Sequence, residues 1–215
     1  MTPVSRREMR RQDRRDAILC VAGESFLEHG YTGTTMSGIA ATLGGSKGTL
    51  WSYFSSKEEL FAAVIDRATA AYRARLLEIL EAPCDDLALT LKRLCTSILE
   101  KVTDPDSIGL HRLVVAEAGR FPEMGTIFYD RGPRMTHIML ANFMASEMER
   151  GRIRSDDPLQ TARTLSAMTV YGCQQQLLWG IIDHISPEEL EAEVDRAVDL
   201  FMRAYAVEIP RAQDA

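Results

Sequence analysis

No apolar run in the sequence is long enough to span a bilayer. The opening, MTPVSRREMRRQDRRD, has no apolar core of the kind a secretory leader needs. The expectation is a cytoplasmic protein. The four cysteines, Cys20, Cys84, Cys95 and Cys173, are scattered, with no CxxC pair and no clustered histidine, so a zinc site is not expected. Cys20, Cys95 and Cys173 fall inside helical patterns and read as buried small apolar groups, with thiol-based redox sensing as the alternative. The sequence also lacks a GxSxG elbow, a phosphate-binding loop, a GxGxxG turn and an HExxH pair. His29, His111, His137 and His184 stand far apart and read as helix residues rather than catalytic bases. No enzyme activity, cofactor or metal is expected. Strand-type alternation, internal repeats and low-complexity segments are missing as well.

What is present is helical periodicity and an uneven charge. The net charge of −6 over 215 residues argues superficially against a nucleic-acid partner. The first 57 residues, however, hold eight Lys/Arg against five Asp/Glu, while the rest hold 17 against 26. A basic head on an acidic body binds DNA through the head while the body repels phosphate. Arg6, Arg7, Arg10, Arg11, Arg14 and Arg15 form a basic arm. It reads either as a solvated terminus or, ahead of a recognition domain, as a phosphate or minor-groove contact.

The stretch TTMSGIAATLGGSKGTLWSYFSSKEEL, from Thr35 to Leu60, reads as a helix-turn-helix with the start of a further helix. A first helix is expected from Asp16 to His29, with Ile18, Ala22 and Phe26 at i+4 spacing and Gly30 as its C-terminal cap. Thr35 is a good N-cap for the second, which carries Ile39, Ala40 and Leu43. Gly44-Gly45 permits a tight turn, and Ser46 caps a helix over Ser46–Tyr53. Within it Leu50 and Phe54 face inward, leaving Lys47, Gly48, Thr49, Trp51, Ser52 and Tyr53 for a partner. Ser56-Lys57-Glu58-Glu59 is a capping box for the next helix. Two short helices around a small-residue turn are the geometry that lays a recognition helix in a major groove.

These residues, with ILCVAGESFLEHGY before them, closely resemble the DNA-binding domain of TetR-family transcriptional regulators. The match runs through Ile18, Ala22, Phe26, Gly30-Tyr31, Thr35, Ile39-Ala40, Gly44, Ser46-Lys47-Gly48-Thr49-Leu50, Tyr53-Phe54 and Ser56-Lys57-Glu58. Two positions depart from it. Gly45 stands where the family usually has Val, which removes an apolar plug from the turn, and Trp51 stands where Tyr is common. The resemblance implies that Lys47, Tyr53 and Lys57 contact the DNA backbone, with Thr35 adding a contact at its helix start. Ser46 and Ser52 lie on the same surface, and Gly48 allows close approach. Thr49 and Trp51 are candidates for base-edge contact, with partial burial as the alternative for Trp51.

The remainder is helical by period: one long helix from Lys57 to about Glu81, then Leu87 to Val102, Pro105 toward Arg120, Glu123 to Arg131, and Pro133 to Arg150. A long helix from Asp157-Pro158 to about His184 follows, and a last one runs from a second capping box at Ser186 through Tyr205. The fold class is all-α, with nine or ten helices. The N-terminal three-helix helix-turn-helix domain is placed at residues 1–57, and a C-terminal helical ligand-binding and dimerisation domain at 58–215. Residues 112–135, RLVVAEAGRFPEMGTIFYDRGPRM, resemble the C-terminal domain of the AefR-like branch of the TetR family. The matching elements are Glu117-Ala118, Arg120-Phe121-Pro122-Glu123, Phe128-Tyr129 and Arg131-Gly132-Pro133, then Asp157-Pro158.

Met and aromatic residues crowd the second half. His111, Phe128, Met135, Met139, Phe143, Met168, Tyr171, Gln175 and Trp179 are the candidates for an apolar effector pocket with a few polar groups. Plain core is the alternative for each. Leu165, Leu177, Leu190, Val194, Ala197, Val198 and Phe201 on the last two long helices are the candidates for a homodimer seam built as a four-helix bundle, with burial in the chain's own core as the alternative. The expected function is a ligand-responsive regulator, of repressor type, that binds a pseudo-palindromic double-stranded DNA operator as a homodimer and is released by a small apolar effector. The competing reading is a small-molecule binding protein whose DNA-binding head is vestigial.

Overall fold

The fold follows from where the chain caps and breaks its helices. The computed structural model describes residues 5–45 and 47–207, and for Lys47 only the backbone. Ser46 and the Lys47 side chain, both expected at DNA, therefore lie outside the described residues. Eleven helices appear among the described residues: α1 (Arg6–Gly33), α2 (Met36–Thr42), α3 (Lys47–Trp51), α4 (Lys57–Glu81), α5 (Leu87–Thr103), α6 (Pro105–Glu117), α7 (Pro122–Arg131), α8 (Pro133–Glu149), α9 (Pro158–Val170), α10 (Cys173–Trp179) and α11 (Pro187–Tyr205). The all-α class holds. The only β-type pairing among the described residues is an isolated bridge between Ile153 and Ala206.

Most boundaries fall where capping chemistry places them. Asp86, Asp157 and Ser186 each accept a hydrogen bond from a backbone N–H three residues on, satisfying one of the orphan donors at a helix start. Two boundaries differ most from the sequence reading. The first helix begins at Arg6, not Asp16, so the basic arm is helical. Ser5 and Glu8 form a capping box there, with the Ser5 N–H donating to Glu8 Oε2 at 2.8 Å and the Glu8 N–H donating to Ser5 Oγ at 3.2 Å. The long helix expected up to His184 is broken. Tyr171 is extended and Gly172 adopts φ +105°, which a side chain rarely tolerates, so α9 stops and α10 restarts at Cys173. Tyr171 therefore does not share a helix with Gln175 and Trp179.

Packing divides the chain into two compact units. One comprises Met1–Ala71 and Gly109–Pro133, the other Tyr72–Ile108 and Arg134–Ala215. This is a limit of packing, whereas the limit at residue 57 is one of motif. The first unit is built on Ile18, Phe26, Tyr31, Ile39, Leu50, Phe54 and Phe61, with Val114 of α6 and Met124 of α7 sealed into the same core. The rings of Phe26, Tyr31 and Phe61 meet at 5.1–5.7 Å between centroids, two of the three pairs edge-on. The second unit packs α5, α9 and α11 around Leu91, Leu94, Leu99, Leu165, Val194 and Phe201. Each such side chain contributes about 1.5–3 kcal/mol on burial.

The cysteines separate by environment. Cys95 and Cys173 are buried, but Cys20 is exposed, which corrects its assignment as a core group. Burial pushes the Cys95 thiol up to about 11, and its sulfur faces Thr169 Oγ1 at 3.3 Å. A maleimide at neutral pH should therefore modify Cys20 in the native protein and Cys95 only after unfolding, as read by mass spectrometry. Modification of both at one rate contradicts this packing.

Candidate nucleic-acid interface and effector cleft

The helix-turn-helix is assembled by small, specific bonds. Thr35 Oγ1 caps α2 by accepting from the Gly38 N–H at 3.0 Å, so its hydroxyl serves the helix start. The turn after α2 is closed by Arg14, which reaches over from α1 and donates to the Leu43 carbonyl at 3.3 Å. A Cβ at Gly45 would lie 2.9 Å from the Arg14 guanidinium. Gly45 thus makes room for an arginine where a valine plug was missed. Leu50 and Phe54 are sealed inside. Gly48, Thr49 and Ser52 are exposed, and Trp51 keeps half of its surface open, so its ring is largely outside the core. The third helix ends at Trp51. Ser52 and Tyr53 follow in a turn where the Ser52 hydroxyl donates to the Thr49 carbonyl at 2.7 Å.

Half of the basic arm is tied down. The Arg11 guanidinium lies over the Tyr53 ring at 5.8 Å and that of Arg15 over Phe54 at 5.3 Å. Arg6, Arg7 and Arg10 are exposed on the preceding turns of α1. Arg11 and Arg15 of α1 thus lie beside the turn that follows Trp51.

Lys57 is engaged elsewhere than expected. Its Nζ donates to the carbonyls of Tyr31 at 2.8 Å and Thr34 at 3.3 Å, and sits 4.1 Å from the Tyr31 ring centroid. Those bonds clasp the turn between α1 and α2. From the other side Glu117, the last residue of α6, accepts from the Tyr31 N–H at 2.8 Å, the Thr32 N–H at 3.0 Å and the Thr32 hydroxyl at 2.6 Å. Burial raises the Glu117 carboxyl, but the three bonds from Thr32 and Tyr31 outweigh it and hold the group below the ordinary carboxylate value. Its share of stability is therefore present at neutral pH and lost only as pH falls through that lowered value.

A cleft of about 560 Å³ opens in the second unit. One stripe of α8 lines it, with Met139, Asn142, Phe143, Ser146, Glu147 and then Arg150. Opposite stand Leu77, Leu80 and Glu81 at the end of α4, the 82–85 connection with Cys84, and Thr90 of α5. Glu147 is only 1% exposed. Its Oε1 accepts from Arg152 Nη2 at 2.8 Å and Arg150 Nη1 at 3.3 Å, and its Oε2 contacts Arg152 Nε. Arg152 also donates to the Asp85 carbonyl at 2.9 Å, pinning the connection that walls the cleft. Removing one partner of such a buried pair costs about 3–5 kcal/mol, so Glu147 and Arg152 are framework. Arg150, 62% exposed at its side chain, lines the cleft as well.

Of the nine residues expected to form an effector pocket, Met139 and Phe143 line this cleft. His111 and Phe128 lie in the first unit, their rings 5.8 Å apart. Met168 packs against the core of the second unit, Met135 is partly exposed and Gln175 half-buried. Tyr171 and Trp179 are 72% and 69% exposed. Leu77, Leu80, Asn142, Ser146 and Arg150 were missed. The signal was the α8 stripe at spacings of three and four that mixes apolar with polar residues. The candidates for a dimer seam also move. Leu165, Leu177, Val194, Ala197, Val198 and Phe201 are buried in the chain's own core, with Leu190 half-buried against it. A side chain sealed within its own subunit has little area left for a partner. Tyr171, Trp179, Ile181 and Leu200 are among the large apolar groups that stay outward on and around the same helices.

Replacing Lys57 by Met should lower stability by about 1.5–3 kcal/mol in urea unfolding, the range for hydrogen bonds to a charged group. It should leave the salt slope of DNA binding unchanged, whereas Arg10→Ala should flatten that slope by about one unit. A slope one unit flatter in Lys57→Met would return this lysine to the phosphates.

Comparison with known proteins accords with this geometry. Residues 18–64 match the family described as bacterial regulatory proteins, tetR family, and residues 89–207 match the AefR-like transcriptional repressor, C-terminal domain. The transcriptional regulator UidR of Escherichia coli K12 is 28% identical over 200 residues, covering 88% of this chain and 90% of that one. The repressor NemR of the same organism is 36% identical over 69 residues, and the match spans only about a third of either chain, 32% of this one and 35% of NemR. Among solved structures, a TetR-family regulator from Mesorhizobium loti superposes with a TM-score of 0.79 at 26% identity, covering 91% of this chain and 98% of that one. The flavonoid-responsive regulator FrrA superposes with a TM-score of 0.77 at 28% identity, covering 94% and 100%. The chain belongs to the TetR family of bacterial transcriptional regulators, with a C-terminal domain of the AefR-like repressor type.

Proposed function

We propose that this chain is a ligand-responsive repressor that binds a pseudo-palindromic operator as a homodimer and lets go when a small, largely apolar effector enters the cleft beside α8. Residues 1–57 form the reading head, and residues 58–215 sense the effector and assemble the dimer. The protein acts in the cytoplasm, without catalysis. In this reading Thr49 and Trp51 address base edges while Lys47 and the outward arginines of α1 address phosphates. Tyr171, Trp179, Ile181 and Leu200 offer the apolar surface for a second copy, since large exposed apolar groups on a folded chain mark interaction sites.

The observation that carries the sensing role is the cleft itself. About 560 Å³ lies within the range of small-molecule sites. Leu77, Leu80, Met139 and Phe143 suit a flat apolar body, Asn142 and Ser146 suit hydroxyls, and Arg150 suits a weakly acidic edge. FrrA is named for its response to flavonoids, which are flat hydroxylated aromatics of this description. Release follows if the effector binds the two domain arrangements unequally, since only differential affinity shifts a population.

Operator release by flat phenolic aromatics, followed by fluorescence anisotropy of labelled DNA and by calorimetry, tests the reading. Phe143→Ala should weaken effector binding about ten-fold, equivalent to about 1.4 kcal/mol, with operator affinity unchanged. Trp179 lies outside the cleft lining and should report little. Release that ignores Phe143→Ala, or that only phosphate-bearing compounds bring about, contradicts this assignment.

A further inference from the structure

Glu117 lies outside the helix-turn-helix match, which ends at residue 64, and inside the C-terminal family match. Its carboxylate nevertheless ends on the head. The backbone turn it holds lies between the kink at Gly30 and the capping residue Thr35, so it decides where α2 starts. We propose that Glu117 is a positioning residue for operator recognition: by binding the N–H groups of Tyr31 and Thr32 it sets the placement of α2, and through α2 that of α3, against DNA.

Three separate features carry this. The first is the set of bonds at 2.6–3.0 Å from one carboxylate to two consecutive backbone N–H groups and a hydroxyl. Charge-assisted bonds of this kind are about twice as strong as neutral ones. The second is Gly30. Its φ is +74°, and a Cβ there would lie 2.6 Å from Glu117 Oε1. The glycine therefore serves both the bend and the approach of the carboxylate. The third is the anchoring of α6 and its neighbours against the same place. Val114 is sealed in the head's core, and the Phe121 ring meets Tyr31 at 5.2 Å between centroids. Lys57 holds the carbonyls of the turn while Glu117 holds its N–H groups, so both halves of the turn's polarity are met by side chains.

Relaxing one end of this clasp leaves the helices α2 and α3 intact but no longer fixed in one placement. Operator binding then has to select the competent placement from several, which lowers apparent affinity by the fraction that is competent. The number of phosphate contacts in the bound state is the same, so the salt dependence is untouched. A loss of phosphate ligands would change both.

The test compares Glu117→Gln and Glu117→Ala with the parent in the full-length chain. Amide exchange at Tyr31 and Thr32, circular dichroism, and operator affinity over a range of salt are measured. The expected result is faster exchange at those two amides, unchanged helix content, operator binding at least ten-fold weaker and an unchanged salt slope, with Glu117→Asp recovering part of the affinity. Operator affinity within two-fold of the parent while the two amides exchange freely would overturn the proposal. So would unchanged exchange at both amides, or loss of fold in both variants, which would leave Glu117 a purely structural role. Failure of the operator reading itself looks different, because the parent protein would then show no operator affinity to lose.

Discussion

A short turn of backbone, Tyr31 to Thr34, has its polar groups met by two side chains of opposite charge. Glu117 takes the N–H groups and Lys57 takes the carbonyls. The kink at Gly30 interrupts the hydrogen bonding of α1, and backbone groups that lose their helix partners need others. Several choices follow from that one constraint. Residue 30 must be small. Tyr31 is sealed among Phe26 and Phe61, and its phenol donates to Glu58 at 3.2 Å. Burial, then the Glu58 charge, push that phenol up, so it stays a neutral donor. α6 and α7 join the packing of the head through Val114 and Met124. The recognition surface is therefore held by residues far outside the motif that names it.

The second unit shows the same logic in its cleft. A carboxylate as buried as Glu147 is tolerable only with its partners in place, and Arg152 supplies two contacts to it while reaching across to the Asp85 carbonyl. The pair ties the end of α8 to the 82–85 connection, which is how an opening between α4 and α8 keeps its walls. Arg150, on the same carboxylate by a single longer bond, lines the cleft with most of its side chain exposed. A buried ion pair and a more exposed cation are thus built from three residues within six positions.

Much of this was legible in the sequence because it is local. Caps at Thr35, Asp157 and Ser186, the period of α4 and α5, and the glycine after α2 all act within a few residues. The unread parts depend on longer range. Gly172 looks like a tolerated helix glycine until its φ of +105° is known. The apolar faces of α9 and α11 point into the chain's own core, and periodicity alone does not say which neighbour a face will meet. Lys57 and Glu117 are ordinary charged residues in sequence, and only the fold brings them to the same turn across a separation of 60 positions. The cleft was half read for the same reason. Met139 and Phe143 are visible as an apolar stripe of α8, whereas Leu77 and Leu80 enter only once α4 is packed against it.

The central claim is that the exposed face of α3, flanked by the arginines of α1, reads operator DNA as one half of a symmetric pair. Footprinting of the purified protein on the DNA upstream of its own coding region addresses this most directly. The account predicts protection of an inverted repeat whose two half-sites lie on one face of the duplex in successive major grooves, lost in a Thr49→Ala, Trp51→Ala double variant that keeps its helix content. Protection of a single half-site, or equal binding to any sequence with no response to those two substitutions, would contradict it.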